Sequence, residues 1–187
     1  MEVVEEQGVT GSEEAGGHPS LPVPFFTPSA AWTTLMYELD EIKRREGYGY
    51  DSRMTLRDLQ NAWHASIGER SFWLGGGGSV QVPLYRDIYH HSKPHVVVRL
   101  LTLDTSISED SNAFCTVEDE TSSMEATLDY RLIHEQGTRL GPGTCLILFQ
   151  PAFFPESAWN LNLIIHPSRV VKIRSPTDSP PPVPSPD

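Results

Sequence analysis

The sequence has few cysteines and no long apolar run. Of its 187 residues only Cys115 and Cys145 are cysteines, too few for a disulfide framework and without the spacing of a metal or redox motif. Each lies in an apolar stretch, so we expect two buried free thiols. No apolar stretch approaches the roughly 20 residues that a membrane span needs, and the acidic first residues lack the pattern of a signal peptide. We therefore expect a soluble, intracellular protein.

Basic residues are also scarce. The chain has 14 Lys and Arg against 25 Asp and Glu, which gives a formal net charge of −11. Neutralisation of phosphates supplies most of the affinity of a nonspecific nucleic-acid binder, so this balance argues against strong nonspecific DNA binding. Part of the acidic excess lies near the start of the chain, because residues 1–20 contain five glutamates and no Lys or Arg.

No motif for catalysis, phosphate binding or metal binding stands out. The glycines of Gly75–Gly78 lack the Lys-Ser/Thr ending and the preceding strand of a phosphate-binding loop, so we interpret them as a linker. His90, His91 and His95 have no Cys or His partners at metal-ligand spacing. Arrangements typical of a nucleophile or of paired catalytic carboxylates are absent as well. The sequence therefore predicts no enzyme, no cofactor and no metal.

Composition divides the chain into four parts. Residues 1–22 form an acidic tail with little to bury, which predicts disorder. Residues 23–93 are expected to form a helical extension and a loop, and residues 94–175 a barrel. Residues 176–187 are rich in Pro and Ser and predict an extended, disordered tail. Its Pro181-x-x-Pro184 could dock an SH3-type groove, although a plain tail is the favoured interpretation.

The extension contains two helices. The first is expected to begin near Pro28 and end near Gly47, and the second begins at a variant capping box of Thr55 and Asp58. The second helix places Leu56, Leu59 and Trp63 on one side. The apolar face of the first helix either packs on the barrel, which is favoured, or anchors another protein. Its candidate protein-interaction residues are Trp32, Leu35, Met36 and Leu39, with Ile42 at the same helical spacing.

The barrel is predicted from five short strands with a helix between the third and the fourth. The strands are His95–Leu103, Asn112–Glu118, Ser123–Asp129, Cys145–Gln150 and Asn160–His166, and the helix is Tyr130–Glu135. In the third strand Met124, Ala126 and Leu128 alternate toward the interior. Val170, Val171 and Ile173 continue the chain onto the barrel wall. This order predicts a mainly β fold, a five-stranded OB-fold barrel with an α-helical N-terminal extension and disordered tails, a class that mostly binds single-stranded nucleic acid or proteins.

The chain resembles the homologous recombination OB-fold protein family over about residues 28–176. The similar segments are Ala31-Trp32 with Met36 and Leu39, Pro94 with Val96–Leu103, Val117–Asp119 with Thr121 and Met124, Leu140–Leu148, Phe153 or Phe154 with Pro155, Leu161–Leu163 and Ile173–Pro176. Ser122-Ser123 stands where the family usually has a glycine. Leu101 stands where it tends to have a lysine, and Arg99 on the same face can supply that charge. The resemblance implies single-stranded DNA binding, recruitment of an MCM-type helicase pair during homologous recombination, and a nuclear location.

Five carboxylates are predicted on the outer side of the second and third strands, where OB-folds usually hold an oligonucleotide. They are Glu118, Asp119, Glu120, Glu125 and Asp129. One interpretation is an ordinary solvated face. The other is a surface that contacts protein, or that keeps nucleic-acid binding weak because carboxylates repel phosphates.

The loop between the fourth and fifth strands is the better candidate for contacting bases. Phe153, Phe154 and Trp159 could stack on bases there, or they could cap the end of the barrel. The candidate phosphate contacts are Arg99, Arg169, Lys172 and Arg174. The sequence thus favours a nonenzymatic adaptor in homologous recombination and DNA repair that binds single-stranded DNA weakly and recruits an MCM-type helicase. The alternative is a protein-only assembly subunit of a genome-maintenance complex.

Overall fold

The structure is a computed structural model that describes residues 26–49, 53–71, 94–104, 111–155 and 161–178. The predictions made for the acidic tail, for Gly75–Gly78, for His90 and His91, for Trp159 and for Pro181-x-x-Pro184 lie outside these residues. Within them, no helix is long and apolar enough to cross a membrane.

Helix α1, Ala30–Glu46, begins and ends close to where the sequence predicts. The side chain of Ser29 caps its start by accepting a hydrogen bond from the N–H of Trp32 at 3.2 Å. Gly47 ends the helix in the left-handed conformation with φ 76°, which glycine adopts without the steric penalty that other residues incur. Lys43, Arg44 and Arg45 lie in the last turn, where positive charge complements the helix dipole.

Helices α2, Leu56–Ser71, and α3, Tyr130–Gln136, are also confirmed. The capping box of α2 is reciprocal, because the N–H of Thr55 donates to Asp58 Oδ2 and the N–H of Asp58 donates to Thr55 Oγ1, both at 3.1 Å. Asp129 caps α3 by accepting from the N–H of Arg131 at 2.9 Å. These caps satisfy N–H groups that a helix leaves without intrahelical partners.

Eight strands form one sheet within the described residues. They are β1 Arg53–Met54, β2 His95–Asp104, β3 Ala113–Glu118, β4 Ser123–Leu128, β5 Cys145–Phe149, β6 Ala152–Pro155, β7 Leu161–Ile165 and β8 Val170–Arg174. Their order is β6-β7-β4-β3-β2-β5-β8, with β1 beside β2. The pairs β4–β7 and β1–β2 are parallel and the others antiparallel. The prediction of five strands is wrong in number, since β1 and β6 were not predicted and β8 was expected only as a continuation of the wall.

The sheet is curled, and its connectivity requires this. Five interstrand spacings of about 4.8 Å, roughly 24 Å, would separate β7 from β8 in a flat sheet. The chain between Ile165 and Val170 spans at most about 18 Å when fully extended, so β7 and β8 must approach each other. Over the part of the chain that the structure describes, the fold is therefore mainly β, a curled mixed sheet of seven to eight strands with three helices, consistent with an OB-like barrel.

The core has two layers. Inside the curl, alternate residues of the strands pack with α2 and α3; examples are Val98, Val117, Leu128, Leu132, Leu148 and Leu163, each exposed by 2% or less. Outside it, α1 packs its apolar face on Val97, Cys145 and Ile147. Strand β2 is apolar on both faces because one face lies toward the interior and the other toward α1.

Candidate nucleic-acid interface

The outer face of β3 and β4 presents polar residues around one exposed aromatic ring. Alternation along β3 turns Ala113, Cys115 and Val117 inward, so Phe114 and Thr116 lie on the other face. The ring of Phe114 is 57% exposed. On β4, Thr127 lies opposite Phe114 in the antiparallel pairing. A phenylalanine so exposed in the middle of a sheet is available to a ligand.

The same face continues across β7 to β6 and ends at a second exposed ring. Thr127 Oγ1 donates to Asn162 Oδ1 on β7 at 3.0 Å, and Phe154 on β6 is paired with Asn162. Phe154 is 60% exposed. Three interstrand spacings, about 14 Å, separate β3 from β6. We call Phe114, Thr116, Thr127, Asn162 and Phe154 the aromatic face.

A groove of about 340 Å³ lies within this face. Its lining consists of Thr102, Asp104, Phe114, Cys115, Thr116, Glu125, Ala126 and Asn162. Thr102 reaches it because a β-bulge interrupts the pairing of β2 with β3 between Leu100 and Thr102, which leaves Leu101 38% exposed. Hydroxyl and amide groups beside an exposed ring can bind a planar base by stacking and by hydrogen bonds.

Most of the carboxylates predicted for this surface are engaged in structural contacts. Glu118 is buried and forms an ion pair with Arg99. Glu120 forms an ion pair with Arg53. The hydrogen bond from Arg131 lowers the pKa of Asp129 to about 2.

Asp119 is also structural, being 1% exposed. It accepts from the N–H of Leu56 at 2.6 Å, from the N–H of Thr121 at 2.7 Å and from that of Ser122 at 3.0 Å. It thereby joins the start of α2 to the β3–β4 turn. Of the five predicted carboxylates, Glu125 lies exposed on the strand face and Glu120 is exposed in the turn, so the predicted crowding of five free carboxylates on the outer strands is wrong.

Arg99, a predicted phosphate contact, is used inside the fold. Its Nε donates to Glu118 Oε1 at 2.6 Å, and its Nη1 donates to the carbonyl of Thr27 at 2.7 Å. The guanidinium lies 4.3 Å from the ring centroid of Phe26. Phe26 in turn makes an edge contact with Trp32 at 4.7 Å. Arg99 thus fastens the chain before α1 to the sheet, and only 16% of its side chain is exposed.

Two other predicted phosphate contacts lie on β8 beside α1, away from the aromatic face. Arg174 Nε donates to Glu38 Oε2 at 3.1 Å, and Lys172 Nζ lies 3.5 Å from Glu38 Oε1. Burial raises the pKa of Glu38, but the hydrogen bond from Arg174 and the charges of Lys172 and Arg174 outweigh it, so this pKa lies below its usual value. Arg169, the fourth, is half-buried in a 3₁₀ turn at Pro167–Arg169. Among the described residues, Arg99, Lys172 and Arg174 therefore contact carboxylates of the fold, on strands other than the one that carries Phe153 and Phe154.

The two phenylalanines of the predicted loop that the structure describes, Phe153 and Phe154, lie on opposite faces of a strand. Residues Ala152–Pro155 form strand β6 rather than a loop, and alternation turns one phenylalanine inward and the next outward. Phe153 is half-buried and makes an edge contact with Trp63 at 6.0 Å, so it closes the core as the capping interpretation expects. Phe154 remains on the surface, as stacking requires.

The apolar face of α1 is covered. Trp32, Leu35 and Leu39 are 5%, 0% and 0% exposed and pack on the sheet. Met36 is half-buried, and its sulfur accepts a hydrogen bond from Arg53 Nη1 at 3.4 Å. Their prediction as protein-interaction residues is therefore corrected, because a partner could reach this face only by displacing α1. Burying three such side chains contributes roughly 5 kcal/mol or more to stability.

Both thiols are buried and unbonded to each other, as predicted. Burial raises the pKa of Cys115 to about 12 and that of Cys145 to about 11, so neither is a nucleophile at neutral pH. Among the described residues no group of three or more His, Cys, Asp or Glu side chains could hold a metal ion. His95 is 1% exposed and lies between the rings of Tyr48 and Phe149.

Sequence reasoning missed Phe114 as a site residue, although its signal was present. Alternation within the second predicted strand already placed Phe114 on the face opposite Cys115. A single exposed hydrophobic residue is ordinary on a protein surface, so the ring gains interest from the groove beside it. Because carboxylates were predicted on the same strands and would repel phosphates, the prediction placed the contacts with bases in the loop between the fourth and fifth strands instead.

No family model matches the sequence, and no curated protein matches it. One similar solved structure is a protein assigned as an aspartyl-tRNA synthetase from Leishmania major Friedlin, with 14% identity and a TM-score of 0.30. The similarity covers 62% of this chain and 26% of that chain, so this chain spans about a quarter of the other protein's length.

Proposed function

We propose that this protein is a nonenzymatic OB-fold adaptor that binds single-stranded DNA weakly and brings an MCM-type helicase to it during homologous recombination. The fold assignment is supported by five strands, β2, β3, β4, β5 and β7, whose pairing follows the order β7-β4-β3-β2-β5. A short helix, α3, lies between the third and fourth of them. The process and the helicase partner are what the family resemblance implies.

The observation that carries DNA binding is the aromatic face. OB-folds bind oligonucleotides over their second and third strands, which correspond here to β3 and β4. Phe114 lies on the outer side of that pair and Phe154 at the end of the same face, each more than half exposed. A base stacked on such a ring contributes roughly 1–3 kcal/mol whatever its sequence, so two rings support weak, sequence-tolerant binding.

Phosphate contacts contribute little in this proposal. Arg99 and Arg174 are held by Glu118 and Glu38, so binding at the aromatic face depends mainly on stacking. The affinity should then fall gently with salt, because each phosphate contact adds only about −0.7 to the slope of log affinity against log salt for a single strand. We expect a slope between zero and about −2.

The test is a titration of the full chain with a fluorescein-labelled oligothymidylate of about 20 nucleotides at two salt concentrations. Replacing either ring, Phe114→Ala or Phe154→Ala, should weaken binding about tenfold, since 1.4 kcal/mol corresponds to a factor of ten. Tyr37→Ala is the matched control, because Tyr37 is 54% exposed on α1 outside the aromatic face. Its affinity should equal that of the parent chain. Equal affinities for all three variants would contradict the assigned face.

A second candidate, a protein-only assembly subunit, is favoured by the ion pairs described above. The net charge of the chain is −11. If the candidate phosphate contacts stabilise the fold instead of binding phosphates, the simplest consequence is a surface without affinity for DNA. The same titration separates the two functions. An assembly subunit shows no binding at either salt concentration, whereas the adaptor binds at both and loses affinity when Phe114 or Phe154 is replaced.

A further inference from the structure

A second groove lies between α1 and β8. Its volume is about 600 Å³, and it is lined by Glu38, Glu41, Ile42, Arg44, Arg45, Val171 and Lys172. Three of these seven side chains are cationic, on a chain whose formal net charge is −11. With two carboxylates, Glu38 and Glu41, also in the lining, three cations give the groove a formal net charge of +1, opposite in sign to the charge of the whole chain.

Two of the cations are held only by weak surface pairs. Arg44 Nη2 lies 3.6 Å from Glu41 Oε1, and both side chains are more than half exposed. Arg45 Nη2 lies 3.9 Å from Glu46 Oε1, with 76% of the arginine side chain exposed. Exposed pairs of this kind contribute about 0–1 kcal/mol. Either arginine can therefore exchange its partner for a ligand carboxylate at little cost.

The third cation can also turn to a ligand without leaving a buried charge behind. Lys172 is 45% exposed and shares Glu38 with Arg174. The guanidinium of Arg174 contacts both oxygens of Glu38, so that carboxylate stays neutralised if Lys172 moves away. Arg44, Arg45 and Lys172 together form what we call the exchangeable cation set.

The groove combines this set with exposed apolar surface. Val171 lies where the pairing of β8 with β5 shifts register, and it is 40% exposed. Irregular pairing and a lysine at the next position both discourage another strand from pairing with a sheet edge, so a ligand is expected to be held by side chains. Among the described residues that line the groove there is no aromatic ring, the group on which single-stranded nucleic acid stacks. Its chemistry fits carboxylates and aliphatic groups.

We propose that the groove between α1 and β8 binds an extended acidic peptide segment of a partner protein. The exchangeable cation set binds its carboxylates, and Val171, which is 40% exposed, contacts an aliphatic side chain of the peptide. This inference rests on the proposed function, because it names the surface and the chemistry by which the adaptor holds its protein partner. It also replaces the covered face of α1 as the partner-binding surface.

The probe is a fluorescein-labelled peptide of about ten residues that alternates glutamate and valine, titrated against the full chain. A peptide with lysine in place of glutamate is the charge control and should not bind. The variant Arg44→Ala/Arg45→Ala/Lys172→Ala should weaken binding of the glutamate peptide about tenfold, since three surface ion pairs of about 0.5 kcal/mol each sum to roughly 1.5 kcal/mol. Arg57→Ala/Arg131→Ala removes charge from two other exposed arginines and should leave that affinity unchanged.

Three outcomes would overturn the proposal: equal binding of the lysine peptide, undiminished binding by the triple variant, or displacement of the bound peptide by oligothymidylate. Thermal unfolding of the triple variant, expected near that of the parent chain, ensures that lost binding does not reflect lost structure. The oligonucleotide titration of the same variants keeps the two proposals separate. A parent chain that binds the peptide but no DNA refutes the DNA-binding proposal alone, and one that binds DNA but no peptide refutes the groove alone.

Discussion

Replacing Arg99 by methionine tests whether this residue serves the fold or a phosphate. Arg99→Met keeps an apolar stem but leaves the carboxylate of Glu118, a residue that is 6% exposed, without its charged partner. At an effective dielectric constant of about 20 and a separation of about 4 Å, two unit charges attract by roughly 4 kcal/mol. Removing one partner of a buried pair typically costs about 3–5 kcal/mol. We therefore expect the free energy of unfolding to fall by about 3–5 kcal/mol.

Urea unfolding of the full chain at neutral pH measures this loss, and the oligothymidylate titration is run on the same samples. The double variant Arg99→Met/Glu118→Met should recover most of the stability, because replacing both charges by apolar groups is often neutral or stabilising. DNA affinity of the folded single variant should stay within about twofold of the parent chain. The reasoning is refuted if Arg99→Met unfolds like the parent while its DNA affinity falls about tenfold.

Three further predictions concern His95, Gly143 and Asp119. Burial lowers the pKa of His95 from 6.5, so as the pH falls the unfolded chain binds a proton before the folded chain does. In urea unfolding, the free energy of unfolding should therefore be independent of pH above about pH 6.5 and should decline below it. The decline should be smaller in His95→Phe. Gly143 has φ +88°, and an added Cβ would lie 2.8 Å from Pro176 Cγ. Gly143→Ala should therefore lower the free energy of unfolding by at least about 1–2 kcal/mol and lower the melting temperature. Gly141→Ala is the control and should not, because an added Cβ there meets nothing within 4 Å. Asp119→Ala leaves several N–H groups without an acceptor and should cost about 3 kcal/mol or more in urea unfolding.

The helices and the central strands were predictable because their signals are local. The capping pair of Thr55 and Asp58 is three residues apart, and the glycine that ends α1 directly follows the last helical residue. Alternation over six residues likewise identified the inward face of β4. Patterns of this length depend on the chain's own periodicity and need no knowledge of what packs against it.

The missed strands depend on partners distant in sequence. Strand β1 has two residues and exists only through its parallel pairing with β2. Strand β6 contains Phe153 and Phe154 followed by Pro155, which reads as a loop because proline is disfavoured within strands. Its place at the end of the sheet, beside β7, is a position where proline is tolerated. Sequence alone does not reveal which strand lies at an edge.

The partners of the charged residues could not be predicted for the same reason. Arg99 and Glu118 are 19 residues apart, and Arg174 and Glu38 are 136 apart. A side chain's periodic position indicates the face on which it lies, not the group that it meets there. Four carboxylates that seemed to crowd the outer strands are therefore caps or ion-pair partners. Of the cations that seemed available to phosphates, Arg99 pairs with one of them, and Lys172 and Arg174 pair with Glu38.

This internal use of charge changes what the net charge of −11 implies about function. A bulk excess of carboxylates would disfavour DNA only if it lay on the binding surface, and beside the rings of the aromatic face two exposed carboxylates, Glu125 and Asp104, remain. The same ion pairs also make Arg99 and Arg174 unavailable to phosphates. The pairing therefore reduces the attraction of cations for DNA as well as the repulsion of DNA by carboxylates. What remains on that face is two exposed rings beside hydroxyl groups, the two carboxylates and the buried amide of Asn162. If this surface binds a single strand, stacking supplies the affinity, and DNA binding should resist salt while it depends on Phe114 and Phe154.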